Sequence, residues 1–142
     1  MVGRTVLHYR IGERIWAGGM GEVYLARDLR LDRDVALKFL PSSRQADAAS
    51  RARFRGEARA AAALRSPHVA AIYDIEEHEG ALFIVMEYVR GEPLSHHTAR
   101  GRLAPREGMQ IAIQVAAALE EAHARGQWQT FGGGGTFTLL QG

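Results

Sequence analysis

The segment Gly18-Gly19-Met20-Gly21-Glu22-Val23-Tyr24-Leu25-Ala26-Arg27-Asp28, with Val35-Ala36-Leu37-Lys38 downstream of it, decides how this chain is read. Before the glycines, residues 9–16 (YRIGERIW) alternate apolar and polar, with Tyr9, Ile11 and Ile15 on one side, and predict a strand. After them Glu22 to Arg27 alternate again, Val23 and Leu25 facing opposite to Tyr24 and Ala26. Two such runs joined by a short glycine-containing loop make a hairpin. Val35 to Leu40 (VALKFL) predicts a third strand, ended by Pro41. The order of elements bears on chemistry. A dinucleotide-binding glycine loop follows a strand and opens a helix, whereas this one is followed by a strand. A hairpin with a glycine tip lets backbone N–H groups approach phosphate oxygens closely, because no Cβ intervenes. Glycine is equally at home in any tight turn.

Outward from this hairpin, Ser50 to Arg65 is rich in Ala and Arg, both strong helix formers. Phe54, Glu57, Ala61 and Leu64 share one helical face, which points Glu57 the same way as the apolar stripe. An unpaired carboxylate is costly there. Pro67 closes the helix, and Val69 to Ile75 and Ala81 to Val89 predict two further strands around the polar turn EEHEG. Gly91, Glu92 and Pro93 mark a break. The pattern is then helical from Leu94 to Arg100 and from Arg106 to Arg125, with a stripe of Ile111, Val115, Leu119 and Ala122. Pro105 suits the start of the long helix and Gly126 its stop. Beyond Gly126 the uncharged stretch QWQTFGGGGTFTLLQG reads as a tail of unknown structure.

Composition narrows the function classes. The 142 residues suit one compact domain, and 46% hydrophobic with 24% charged residues is ordinary for a globular protein. A net charge of +2 argues against a nucleic-acid or membrane-surface partner. The absence of cysteine excludes disulfides, thiolate metal sites and cysteine nucleophiles. The longest apolar run, Ala81 to Met86, is far short of a membrane span, and the N-terminus lacks the apolar core of a signal peptide, so a cytoplasmic location is expected. Six scattered His, without an H-E-x-x-H pattern, give no zinc site. The Arg-rich helix (Arg51, Arg53, Arg55, Arg59) reads as a solvated face. Of 18 basic residues only Lys38 is lysine; the chain has no Asn, and no Asp beyond Asp74.

The spaced segments GGMGEVYLARD and VALK, then RFRGEARAAAAL, then LFIVMEYVRGEPL, resemble the protein kinase family, specifically the bacterial serine/threonine kinases, over residues 9–126. The resemblance implies an α+β fold: a kinase-like N-lobe of about five antiparallel strands plus one helix (residues 9–90, including the hinge). The first helices of the C-lobe would follow (91–126), and then the Gly-rich tail (127–142). It implies ATP as cofactor, with Mg²⁺, and a protein substrate or a partner kinase. Gly18, Gly19 and Gly21 would form the glycine loop, Lys38 would neutralise phosphate charge, and Glu57 would pair with Lys38. Ile15, Val23 and Ala36 would cover the adenine ring, Met86 would be the gatekeeper, and backbone groups of Glu87 and Val89 would bond the adenine edge, with Tyr88 between them in the hinge.

Each assignment has a plainer counterpart. Lys38 could be a strand charge reaching solvent, Glu57 could lie on a solvated helix face, and the apolar residues could simply be core. Two departures from the family pattern are also visible. Trp16 stands where the first loop glycine belongs and adds bulk near the ribose or phosphates. The segments H-R-D, D-F-G and A-P-E do not follow the long helix, and with no Asn and no later Asp their roles have no substitute within these residues. The chain is therefore expected to represent the first half of a kinase domain, inactive in phosphoryl transfer by itself. The alternatives are a non-catalytic nucleotide-binding or regulatory fragment that associates with another protein, and a truncated product without function.

Overall fold

The computed structural model describes residues 1–19, 21–124 and 138–140. The chain divides into two units, Met1–Ala63 with Ala71–Tyr88, and Leu64–Ala70 with Val89–Gly142.

The first unit is an antiparallel sheet with one helix. Its strands are β1 (Thr5–Val6), β2 (Tyr9–Gly18), β3 (Gly21–Asp28), β4 (Arg33–Phe39), β5 (Ile72–His78) and β6 (Ala81–Glu87), in the spatial order β1-β2-β3-β4-β6-β5. This is one strand more than the alternating runs predict, because Thr5–Val6 is too short for periodicity to register. The adjacent strands β4 and β6 supply most of the fully buried side chains of the core, and β6 carries the longest apolar run. Tyr9, Ile11, Tyr24, Ala26, Val35, Leu37, Phe39, Phe83 and Val85 pack on one face of the sheet. Phe39 stacks on Phe83 with ring centroids 4.9 Å apart, and Tyr9 and Tyr24 close the cluster edge-on at 6.2 and 5.8 Å. Burial, reinforced by the charge of Asp28, pushes the Tyr9 phenol up to about 12.

On the opposite face, α1 (Ala48–Ala62) sets Phe54 and Ala58 against Leu40, Leu82 and Ile84. Asp47 caps the helix, accepting hydrogen bonds from the amides of Ala49 and Ser50 and from the Ser50 hydroxyl. Gln45 ties the strand ends beneath it, donating to the Leu40 carbonyl at 2.7 Å and accepting from the Leu82 amide at 3.0 Å.

Two boundaries differ from expectation. β5 runs through Glu76, Glu77 and His78, which read as turn residues, because it is the outer strand of the sheet and one side of it meets water. The turn proper is Glu79-Gly80, both at positive φ (50° and 80°), between the paired His78 and Ala81. β2 departs from strict alternation through two register shifts, between Ile11 and Arg14 and between Arg14 and Trp16. Tyr9 and Ile11 are buried as expected, but Ile15 is 41% exposed.

The second unit contains β7 (Gly91–Pro93), α2 (Leu94–Ala99), α3 (Pro105–Ala124) and β8 (Thr138–Leu140). β7 and β8 pair antiparallel, Gly91 opposite Leu140. The strand at Thr138–Leu140 lies within the tail, whose structure the sequence leaves open. Its partner lies far away in sequence, which local composition does not reveal. The rest of the stretch after Gly126 lies outside the described residues. The α3 stripe of Ile111, Val115 and Leu119 is half-buried, and Met109 and Ile113 are 66% and 63% exposed. Among the described residues, no helix is long and apolar enough to cross a membrane.

Candidate functional site

The register of the sheet brings together most of the residues singled out in its strands. Val23 lies opposite Lys38, and Lys38 opposite Ile84. Two residues along, Leu25 lies opposite Ala36, and Ala36 opposite Met86. Directly opposed residues of an antiparallel pair project to the same face. Val23, Ala36, Lys38 and Met86 therefore share one face, away from the Tyr24–Leu37–Phe83 core. The apolar neighbours are half-buried or buried, and Lys38 is half-buried among them. A lone ammonium on an apolar sheet face is a place where an anion is electrostatically favoured.

The glycines differ in what they leave open. A Cβ on Gly21 would stand 2.0 Å from the Phe39 carbonyl oxygen, and its φ is +114°. That glycine is required by the close approach of β4, whatever binds to the loop. A Cβ on Gly18 would meet the Trp16 ring, 2.6 Å from Cη2 and 2.7 Å from Cζ2. At Gly19 nothing lies within 4 Å. Of the three, Gly19 alone has open space where a Cβ would stand.

Ile15, expected with Val23 over the adenine ring, is not the residue opposite Val23 in the sheet. The register shift between Arg14 and Trp16 makes Ile15 the extra residue of a bulge, and Trp16 takes the place opposite Val23. Near the loop mouth Glu22 accepts from the Tyr24 hydroxyl and from Arg14 Nη1, the latter at 3.5 Å. The hydrogen bond to Glu22 is the main cause of a raised Tyr24 pKa.

Glu57 is not on the buried face of α1. Phe54 and Ala58 form that face, and Glu57 is exposed. Among the described residues no ion pair within 4 Å joins Lys38 to Glu57. The helix is held from its other side: Glu77 on β5 receives Arg51 Nη2 at 2.7 Å and Arg55 Nη2 at 2.9 Å. Arg51 and Arg55, on the helix read as a solvated face, are thus partly drawn into ion pairs at the surface. Sequence reasoning misses Glu77 because it sits in a stretch that reads as a turn.

Glu87 is anchored at both ends. Its amide donates to the Ala71 carbonyl at 2.8 Å, and its carboxylate accepts from the Ala71 amide at 3.1 Å. The Glu87 amide is therefore committed within the protein. Val89 belongs to the second unit and is half-buried. Among the described residues no group of three or more His, Asp or Glu side chains is placed to hold a metal ion.

A family model described as protein kinase domain matches residues 9–128. Among curated proteins, the chain is 41% identical over 125 residues to the serine/threonine-protein kinase PrkC of Bacillus subtilis, covering 87% of this chain and 19% of the relative. It is 47% identical over 124 residues to the serine/threonine-protein kinase PknB of Mycolicibacterium smegmatis, covering 83% of this chain and 20% of that protein. Among solved structures, the kinase domain of Mycobacterium tuberculosis PknI superposes with a TM-score of 0.74 at 36% identity, covering 89% of this chain and 52% of the other. The chain thus spans about a fifth of these curated relatives and about half of the solved kinase domain.

Proposed function

This chain belongs to the protein kinase domain family, in its bacterial serine/threonine branch, and from that premise we propose that it forms the nucleotide-side half of an ATP-dependent protein kinase. The family uses ATP and Mg²⁺ to phosphorylate protein hydroxyls. One observation carries the reading: Lys38, the only lysine of the chain, lies on an apolar sheet face in register with Val23 and Ile84. Val23, Ala36 and Met86 supply the apolar surface for a purine, and Gly19 offers an open backbone approach. Lys38 supplies the cation that a polyphosphate needs.

Transfer of the phosphoryl group requires more than this. It depends on positioning the attacking hydroxyl and on neutralising charge with metal ions. These residues contain no Asn and no Asp beyond Asp74 to fill the metal-holding and substrate-orienting positions of the family. We assign binding, and not turnover, to these 142 residues.

The test is thermal stabilisation by ATP. A ligand at a hundred times its Kd stabilises the folded state by about 2.7 kcal/mol. The expected result is a Tm that rises with ATP and a rise that Lys38→Met abolishes. No shift at millimolar ATP would refute the binding assignment. Lys38-dependent phosphorylation of a general protein substrate would refute the assignment of binding without turnover. A second reading, association with another protein, is favoured by exposed Met109 and Ile113 on α3. Light scattering that shows only a monomer at high concentration, with no change on Ile113→Glu, would count against self-association through that face.

A further inference from the structure

We propose that Trp16 is a steric gate on the phosphate side of the glycine loop, so that the site admits a nucleoside more readily than its polyphosphate tail. This rests on the nucleotide reading above and adds a selectivity to it. Four observations carry it.

Glycine serves a phosphate-binding loop by leaving its backbone bare, so that an oxygen can approach the amide. At Gly18 the space that a bare backbone would leave is filled by the indole, whose Cη2 and Cζ2 lie 2.6 and 2.7 Å from the position of a Cβ. The ring lies on the face that matters. Trp16 is opposite Val23, and Val23 is opposite Lys38, so the indole projects to the side of the sheet that carries the ammonium. The bulge at Ile15 produces this orientation, since an unbroken register from the Arg14–Tyr24 pair would place Ile15, not Trp16, opposite Val23.

The ring also leans along the strand toward the loop tip, over Gly18, and not toward Ala36 and Met86, where an apolar base would rest. It therefore obstructs the charged end of a nucleotide. At Gly21 the direction a Cβ would take is filled by the Phe39 carbonyl. Of the loop glycines only Gly19 has open space on its Cβ side, whereas a polyphosphate repays several bare backbone positions. Trp16 is 42% exposed, so the ring is not locked in a core and can be displaced or removed without opening a cavity.

The experiment is calorimetric titration of the whole chain and of Trp16→Gly and Trp16→Ala with ATP and, separately, with adenosine. The expected result is at least a tenfold gain in ATP affinity for both variants, with adenosine affinity within twofold of the parent. Unchanged or weaker ATP binding would overturn the gate while leaving nucleotide binding intact. A loss of adenosine affinity would also overturn it, since that would make the indole a stacking surface for the base. Absence of binding by every protein and ligand would overturn the nucleotide reading and the gate together. A second measurement needs no ligand: Gly18→Ala is expected to lower Tm by several degrees in the parent and by less than half as much in Trp16→Gly. Equal losses in the two backgrounds would show that the ring does not lie over Gly18, and would overturn the proposal.

Discussion

Replacing Gly21 by alanine is expected to destabilise the first unit severely, whereas the same change at Gly19, two residues away, should leave stability nearly unaltered. At Gly21 two effects add. The backbone φ of +114° lies where L side chains are strained, at a cost of about 1–3 kcal/mol. The new Cβ would also fall 2.0 Å from the Phe39 carbonyl oxygen. That atom belongs to a central strand and not to a flexible side chain, so β4 itself must shift, and overpacking of this kind costs about 1–3 kcal/mol. The sum is roughly 2–6 kcal/mol, a large part of the ~5–15 kcal/mol that holds a domain folded. With a urea m-value of about 2 kcal/mol/M the midpoint should fall by about 1–3 M. At Gly19 a Cβ meets nothing within 4 Å, so its midpoint should stay within about 0.25 M of the parent. The assay is equilibrium urea unfolding followed by circular dichroism on the whole chain. A Gly21→Ala midpoint equal to the parent, or a Gly19→Ala loss of the same size, would refute the separation of a glycine demanded by packing from one open to a ligand.

Two more expectations concern the elements around the site. Asp28 is buried and accepts from the amides of Arg30 and Leu31 at 2.9 and 3.0 Å, so it organises the β3–β4 turn that sets the register of Lys38. Asp28→Ala should cost about 1.5–3 kcal/mol in urea unfolding, with Asn in its place recovering part of the loss; equal losses for both variants would mean that the acceptor role is not what matters. The hydrogen bonds from Ser50 and the helix amides hold the Asp47 carboxyl below its ordinary range, so its contribution is complete above the unfolded value near pH 4 and is lost as pH falls through the lower folded value. Helix content measured by circular dichroism should therefore lose less on acidification in Asp47→Asn than in the parent, and identical acid limbs would contradict the capping role.

Much of the site is legible in the sequence, and for a local reason. Strand alternation depends only on neighbours in the chain, so Glu22–Arg27 and Val35–Leu40 declare which side chains face together, and Lys38 stands out as a lone cation in an apolar run. The order of elements, a hairpin with a glycine tip followed by a strand, is enough to exclude the dinucleotide fold. The spaced segments around Gly21, Lys38 and Met86 carry the family.

Tertiary structure decides what periodicity has no access to. The bulge in β2 moves Ile15 out of register and puts Trp16 opposite Val23, because the count of residues across a pair of strands is a property of the pair. Helical spacing puts Glu57 with Phe54, whereas the packing of α1 on Leu82 and Ile84 selects Phe54 and Ala58 and leaves Glu57 exposed; a stripe of alanines does not specify which edge of it will be buried. Glu77 looks like part of a turn and becomes the anchor of Arg51 and Arg55, since an outer strand tolerates polar residues. The three glycines are equivalent as letters. Only the approach of Phe39 to one and of the Trp16 ring to another shows which of them has room for a ligand.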